Sequence, residues 1–371
     1  VRRLFAKLAA ISSTAFTASK TFVSRRTGPS KAGPARTISA RPFAARISAR
    51  VLPAGLLAGL AIAPAALAVG PSSASAATGN WPYVSPYVDM GAWPTPSLSQ
   101  MSQESGIKGF TLGFVTGAGC KASWFNAYDP RAAWQKDEIA ALRSAGGDVR
   151  ISFGGASGIE LAQACSSVDA LYTEYAAVVD AYGATYADFD IEGAATADSA
   201  SISRRSQALA RLKQTHPNLK ISLTLPVLPE GLTSDGLNVV TSAKNAGAGP
   251  DAVNVMAMDY YRSGTDDGDA ATQAAQATHD QLQTIFTGKS DAQIWAMVGV
   301  TPMLGKNDDG SVFDQSDARQ LVSFAQQHHI GTLGFWEETR DRNACNGALY
   351  QCTNIPQQPY EFSKIFAAYT G

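Results

Sequence analysis

The chain is poor in the side chains that hold transition metals, with four histidines and four cysteines in 371 residues. No CxxC pair and no Cys/His cluster is present, so a zinc site is without support. His216, His279 and the His328-His329 pair lie in polar, helical-looking stretches and read as surface residues. A Gly-rich phosphate loop at the first strand-to-helix crossover is also missing, which argues against a dinucleotide-binding sheet. Acid is absent from the first 88 residues: the first Asp or Glu is Asp89. Of the 30 Lys and Arg, 11 fall within residues 1–50 (Arg2, Arg3, Lys7, Lys20, Arg25, Arg26, Lys31, Arg36, Arg41, Arg46, Arg50). Taking those 11 from 30 leaves 19 bases against 31 acids, a net of −12 for the remainder. A net acidic domain is a poor partner for a polyanion, so nucleic acid is disfavoured, whereas a neutral polymer meets no such objection.

The basic stretch runs into an apolar segment, Val51 to Val69, and then into Ala74-Ser75-Ala76. Basic, apolar and small-residue parts in that order form a secretory signal, so residues 1–76 read as a leader removed on export. The apolar run is about long enough to span a bilayer. Pro53, Pro64 and the small-residue site favour cleavage instead, and no stable membrane anchor is expected. The expected location is secreted and extracellular. There an even set of cysteines (Cys120, Cys165, Cys345 and Cys352) implies two disulfides with three possible pairings.

After residue 80 short apolar runs alternate with helical patterns. The predicted strands are Tyr83–Met90, Gly109–Val115, Asp148–Gly154, Tyr186–Glu192, Lys220–Val227, Ala252–Asp259, Ile294–Val300 and Gly331–Trp336. The predicted helices between them include Arg131–Ser144, Leu161–Ala181, Ser203–Gln214, Gly236–Ala246, Ala270–Phe286 and Asp317–His328, and Tyr360–Tyr369 closes the chain. Strand–helix alternation implies parallel strands. Eight units in residues 80–371 fit an α/β fold, the (β/α)8 TIM barrel, as a single catalytic domain of the usual size of about 250 residues.

Catalytic groups of such a barrel sit at the C-terminal ends of its strands. The fourth predicted strand ends Asp188-Phe189-Asp190-Ile191-Glu192. Side chains alternate with period two, so the three acids share the inner face and Phe189 and Ile191 face the helices. Three inward acids cannot all ionise cheaply, and burial raises carboxyl pKa values, so some keep a proton near neutrality. That is the state a general acid needs. The same spacing also offers hard oxygen ligands to a metal, which stays open at this point.

The run Asp188-Phe189-Asp190-Ile191-Glu192 resembles the DxxDxDxE signature of glycoside hydrolase family 18, the chitinases. Ser152-Phe153-Gly154-Gly155 is similar to the family's SxGG motif, and Met256-Ala257-Met258-Asp259-Tyr260 to its MxYD element. Gly334-Phe335-Trp336 looks like the tryptophan that floors its sugar site. The resemblance covers about residues 83–371. It implies catalytic roles for Glu192, Asp190 and Asp188, in a retaining, substrate-assisted reaction without an enzyme nucleophile. Glu192 would protonate the glycosidic oxygen and then act as base, Asp190 would hold the N-acetyl group, and Asp188 would set the protonation of Asp190. Ser152 would bond near Asp188, Asp259 would contact sugar or tune Glu192, and Trp336 would stack under the ring. The implied partner is chitin or an N-acetylglucosamine oligosaccharide, with no cofactor and no metal. Peptidoglycan, the N-glycan core and a non-catalytic chitin-binding lectin are the alternatives.

Two positions depart from the pattern. Thr185 stands where the first acid of DxxDxDxE belongs, and Met258 where MxYD has its tyrosine. Methionine cannot donate the hydrogen bond, and Tyr260, two positions on, is the stand-in if period two continues. Tyr87, Trp93, Trp124, Tyr261 and Trp295 are further sugar-platform candidates, Trp295 being the more core-like because it comes early in its predicted strand. Asp89 ends the first predicted strand and can face the site, whereas Glu337 and Glu338 read mainly as solvated loop acids. No separate carbohydrate-binding module is visible, and oligomeric state is not legible.

Overall fold

A computed structural model describes residues 83–371, and the predicted leader lies outside them. Eight parallel strands form the barrel: β1 Tyr87–Asp89, β2 Gly109–Gly117, β3 Asp148–Gly154, β4 Tyr186–Asp190, β5 Lys220–Leu228, β6 Ala252–Ala257, β7 Val298–Pro302 and β8 Thr332–Leu333. They pair in chain order. A parallel bridge from Val84 to Leu333 closes the ring, with Ser85 N donating to Leu333 O at 2.8 Å and Tyr87 N to Phe335 O at 3.0 Å. Closure leaves the barrel no free sheet edge. Among the described residues no helix is long and apolar enough to cross a membrane.

Strand β4 and its neighbours show how the pattern becomes architecture. Phe153 on β3 and Phe189 on β4 stack outside the barrel, centroids 5.0 Å apart and planes 7° apart. Tyr175, from the helix Val168–Tyr182, meets both rings edge-on. That contact fixes the outer face of β4 and therefore turns Asp188 and Asp190 inward. Register places Ser152, Asp188 and Ser222 side by side on β3, β4 and β5.

The helices differ from expectation where local chemistry interrupts the periodicity. The predicted Leu161–Ala181 helix is two, Leu161–Ala164 and Val168–Tyr182. Between them Cys165 is bonded to Cys120, and Ser167 caps the second helix by accepting from Ala170 N. The predicted strand Ile294–Val300 begins instead as a helix, Asp291–Trp295, and β7 starts at Val298. A reciprocal capping box between Ser290 and Gln293 overrides the apolar run. Trp295 is therefore a buried helix residue, packed against His279 at 4.0 Å between centroids. His279, read as a surface residue, is buried as well. The second disulfide joins Cys345 to Cys352, which selects one of the three possible pairings.

Phe189 is buried on all sides. Phe189→Ala should cost about 3–5 kcal/mol, whereas Phe189→Leu should keep more than half of that. Urea unfolding of both variants measures the difference, and equal midpoints for Phe189→Ala and the unaltered protein would contradict this packing account.

Candidate active site

Asp188 sits near the barrel axis, 1% exposed. Its Oδ2 accepts from Tyr87 Oη at 2.9 Å and Ser152 Oγ at 2.7 Å. Its Oδ1 accepts from Ser222 Oγ and from Thr224 Oγ1 at 2.7 Å. Four hydroxyl donors from β1, β3 and β5 thus surround one carboxylate, a donor set suited to an acceptor-only group. The network runs on across the barrel: Asn254 Nδ2 donates to Thr224 Oγ1 at 3.1 Å, and Thr301 Oγ1 donates to Asn254 Oδ1 at 3.0 Å. Below this layer Arg150 lies over the Tyr186 ring at 4.2 Å and donates to Thr332 Oγ1 at 2.8 Å.

One step nearer the barrel mouth, Asp190 is 4% exposed and its Oδ1 is buried without a partner. Burial first, then the like charges of Glu192 and Asp188, push its pKa well above the usual carboxylate range. Glu192 follows β4 at the start of a short 3-10 turn and is half-buried. Burial, reinforced by Asp259, raises its pKa to about 7. Asp259 is itself raised to about 6 by burial and by Asp308. Its Oδ1 accepts from the backbone N–H groups of Asp308 at 2.7 Å and Asp309 at 3.2 Å. The column therefore presents, from inside outwards, a caged acceptor, a buried acid and a half-exposed acid poised near neutrality.

Trp336 follows β8 and stacks on Phe114 at 5.8 Å between centroids, with Tyr87 at 6.0 Å. Tyr87 is buried with its hydroxyl in the cage, so it supports the column instead of offering an open ring face. Strand β6 ends at Ala257, and Asp259 takes a left-handed φ of 50°. Period two accordingly stops before Met258. Met258 is half-buried, and Tyr260 is buried with a hydroxyl that has no partner and feels Asp267. Thr185 is exposed and bonds Asp148 at 3.0 Å at the opposite end of β4 from Glu192. Trp124 is a core residue whose Nε1 donates to Tyr182 Oη at 2.8 Å, whereas Trp93 and Tyr261 are exposed.

Glu337 and Glu338 are buried, contrary to the solvated reading. Glu337 Oε2 accepts from Asp89 N at 3.2 Å, and burial raises Glu337 to about 7. Glu338 is bonded by Ser363 Oγ in the layer between the last helices. The sequence reading did not single out Ser222, Thr224, Asn254, Thr301 or Phe114. The Ser222-Leu223-Thr224 alternation on β5 was the available signal for two of them.

Gly154, from the SxGG-like run, has φ +106°, and a Cβ there would fall 1.9 Å from the Asp190 carbonyl oxygen. Gly154→Ala should therefore push β4 outward and cost roughly 1–3 kcal/mol, read by urea unfolding. A folded variant of unchanged stability would refute the fit. Asp259→Asn removes the like charge that acts on Glu192, so Glu192 should then titrate below its present value of about 7. Carbon-detected NMR titration of the two proteins measures that shift, and an upward shift would reverse the assignment.

No protein-family model matches the sequence. The chain is 39% identical over 312 residues to a probable bifunctional chitinase/lysozyme of Escherichia coli strain K12, which is 78% of this chain and 35% of that protein. It is 39% identical over 289 residues to Endochitinase 11 of Metarhizium anisopliae, 74% of this chain and 55% of that protein. The chain thus spans about a third to about a half of the length of these curated relatives. The solved catalytic domain of a hyperthermophilic chitinase from Pyrococcus furiosus matches at 36% identity and TM-score 0.71, over 78% of this chain and 96% of that one. A family GH18 chitinase from Chromobacterium violaceum, 17% identical with TM-score 0.53, shares the fold over 78% of this chain and 83% of its own. With these relatives and the (β/α)8 barrel, the chain belongs to glycoside hydrolase family 18, the chitinases.

Proposed function

We propose that this protein is a secreted, extracellular chitinase that hydrolyses β-1,4-linked N-acetylglucosamine polymers with retention of the anomer. The observation that carries the reading is the acid column: caged Asp188 and buried Asp190 on β4, half-buried Glu192 just after it, and Trp336 beside Tyr87 of the cage. The names of the two curated relatives and of the Pyrococcus domain support chitin as substrate.

In the first step Glu192 gives its proton to the glycosidic oxygen as the bond from C1 to that oxygen breaks. The carbonyl oxygen of the substrate's own acetamide attacks C1 from the other face, and a cyclic oxazolinium ion forms. Asp190 accepts the acetamide N–H on a carboxyl oxygen and holds the acetamide with its carbonyl oxygen towards C1. Asp188, held by its four donors, keeps negative charge beneath Asp190 and favours the proton staying on the upper acids. Water then attacks C1, Glu192 takes its proton, and the acetamide is released. The two inversions give net retention, and no enzyme carboxylate bonds to the sugar, as in the substrate-assisted glycosidases. Methionine at position 258 donates nothing to the acetamide, so Asp190 and Asp259 supply the polar contacts in this reading.

The two disulfides suit an oxidising exterior, and the basic, apolar and small-residue leader suits export. A second substrate, peptidoglycan, is favoured by the bifunctional chitinase/lysozyme name of the Escherichia coli relative. It carries an acetamide beside the cleaved bond and permits the same steps.

Purified protein should shorten chitotetraose, and Glu192→Gln should lower kcat by at least about 100-fold, the scale of general-acid catalysis. A chelator should leave the rate unchanged. The rate should fall as pH rises through about 7, where Glu192 loses its proton. Chitotetraose binding without cleavage would overturn the enzymatic reading in favour of a lectin. Cleavage of peptidoglycan alone would move the substrate.

A further inference from the structure

The segment after β7 folds back as a hairpin, with Gly305–Lys306 paired antiparallel to Val312–Phe313. Its tip carries Asn307, Asp308 and Asp309. Asp308 N and Asp309 N are the donors to Asp259 Oδ1. Buried Asn307 ties the tip to its base, its Nδ2 donating to Met303 O and Gly305 O, each at 3.0 Å. Asn307 Oδ1 accepts from Asp259 N at 3.4 Å, and Asp309 Oδ2 accepts from Tyr261 N at 2.9 Å. The hairpin thus holds Asp259 by both its backbone and its carboxylate.

The hairpin is held in turn by a buried cation. Arg340 lies on the helix Glu338–Asn343, just after Trp336, and is fully buried. Its Nη2 donates to Leu304 O, just before the hairpin, and to Lys306 O, within it, at 2.8 Å. Its Nε and Nη1 have no hydrogen-bond partner. As scaffolding alone this is a costly choice, because buried donors left unbonded cost more than an apolar side chain of similar volume. What a guanidinium adds is charge. Burial lowers the Arg340 pKa to about 10, while Glu337, Asp308 and Asp259 act the other way, so it remains a cation at neutral pH. The attraction is mutual: the cation that Asp259 favours also favours the charged form of Asp259.

We propose that Arg340 is a positioning residue of the hydrolytic reaction: it fixes the hairpin 305–313, the hairpin fixes Asp259, and Asp259 acts on Glu192, while Arg340 itself touches no substrate. The inference rests on the chitinase reading above and deepens it. The groups that act on Asp259 are Asp308 and Asp309 from the hairpin, Arg340 from the helix after β8, Glu192 from just after β4 and Tyr261 on its own segment. Of these, Arg340 is the cation. Without it, Asp259 should hold its proton to higher pH than its present value of about 6. Asp259 then carries less negative charge near neutrality and raises Glu192 less, so Glu192 gives up its proton at lower pH. Asp308 works in the opposite sense, since its like charge pushes Asp259 upward. A brace that only stiffened the fold would give no such pair of opposite shifts.

The test uses Arg340→Met, Arg340→Lys and Asp308→Asn in the full protein. By carbon-detected NMR, Asp259 should titrate above its present value in Arg340→Met, and by less in Arg340→Lys, which keeps the charge. In Asp308→Asn it should titrate below that value. In Arg340→Met, kcat on chitotetraose should fall about 5-fold near pH 7 and less than about 2-fold near pH 5, where Glu192 keeps its proton in either protein. KM should change less than about 2-fold at both, because the residue makes no contact with sugar. The NMR titration needs no substrate, so it decides the positioning even where no oligomer is cleaved. Should Arg340→Met fail to fold, Arg340→Lys and the exposed Asp308→Asn decide it. An Asp259 titration unmoved in the folded Arg340 variants, or unmoved in Asp308→Asn, would overturn the proposal. So would a kcat loss of equal size near pH 5 and pH 7, a rise in KM alone, or failure of both Arg340 variants to fold, which would make the residue scaffolding.

Discussion

The burial of one carboxylate organises this protein. A charge brought to the centre of a barrel is costly unless it is fully bonded, and Asp188 is bonded on both oxygens by hydroxyls from three other strands. Each donor is fixed in turn by a strand register that closure of the ring determines. Above it on the strand, Asp190 is shifted first by its own burial and then by the like charges of Glu192 and Asp188. Asp190 is forced upward in pKa, and Glu192 inherits an intermediate position nearer water. The gradient along β4 is a consequence of depth, spacing and like charge, with no special residue required at each level.

Much of this was legible because strand periodicity is simple. Phe189 and Ile191 against Asp188, Asp190 and Glu192 specify which face is wet, and the stacked Phe153–Phe189 pair is that specification realised in packing. The barrel itself was legible from eight alternations, with seven of the eight strands near their predicted places. The exception, Ile294–Trp295, shows an apolar pair that fits helix or strand equally well and was decided by the Ser290–Gln293 cap.

What escaped was whatever depended on distant segments meeting. The hydroxyls of Ser222 and Thr224 are ordinary strand residues until β5 is laid beside β4. Glu338 looks like a loop acid until Ser363 of the last helix, Glu361–Phe366, bonds it, and Glu337 until the end of β1 brings Asp89 N to it. His279 looks polar and solvated until Trp295 folds onto it. At Met258 and Tyr260 the failure was local: a left-handed φ at Asp259 ended the alternation that the reading relied on.

The Cys120–Cys165 bond ties the loop after β2 to the helical layer. That loop is anchored by a bond of its own, whereas Asp188 and Asp190 of the acid column are held by strand register. Loops of this kind can be exchanged between related barrels without moving the strand residues beneath them. The rim is thus the part of this molecule on which selection, or an engineer, can act while the strands that carry the acids keep their register.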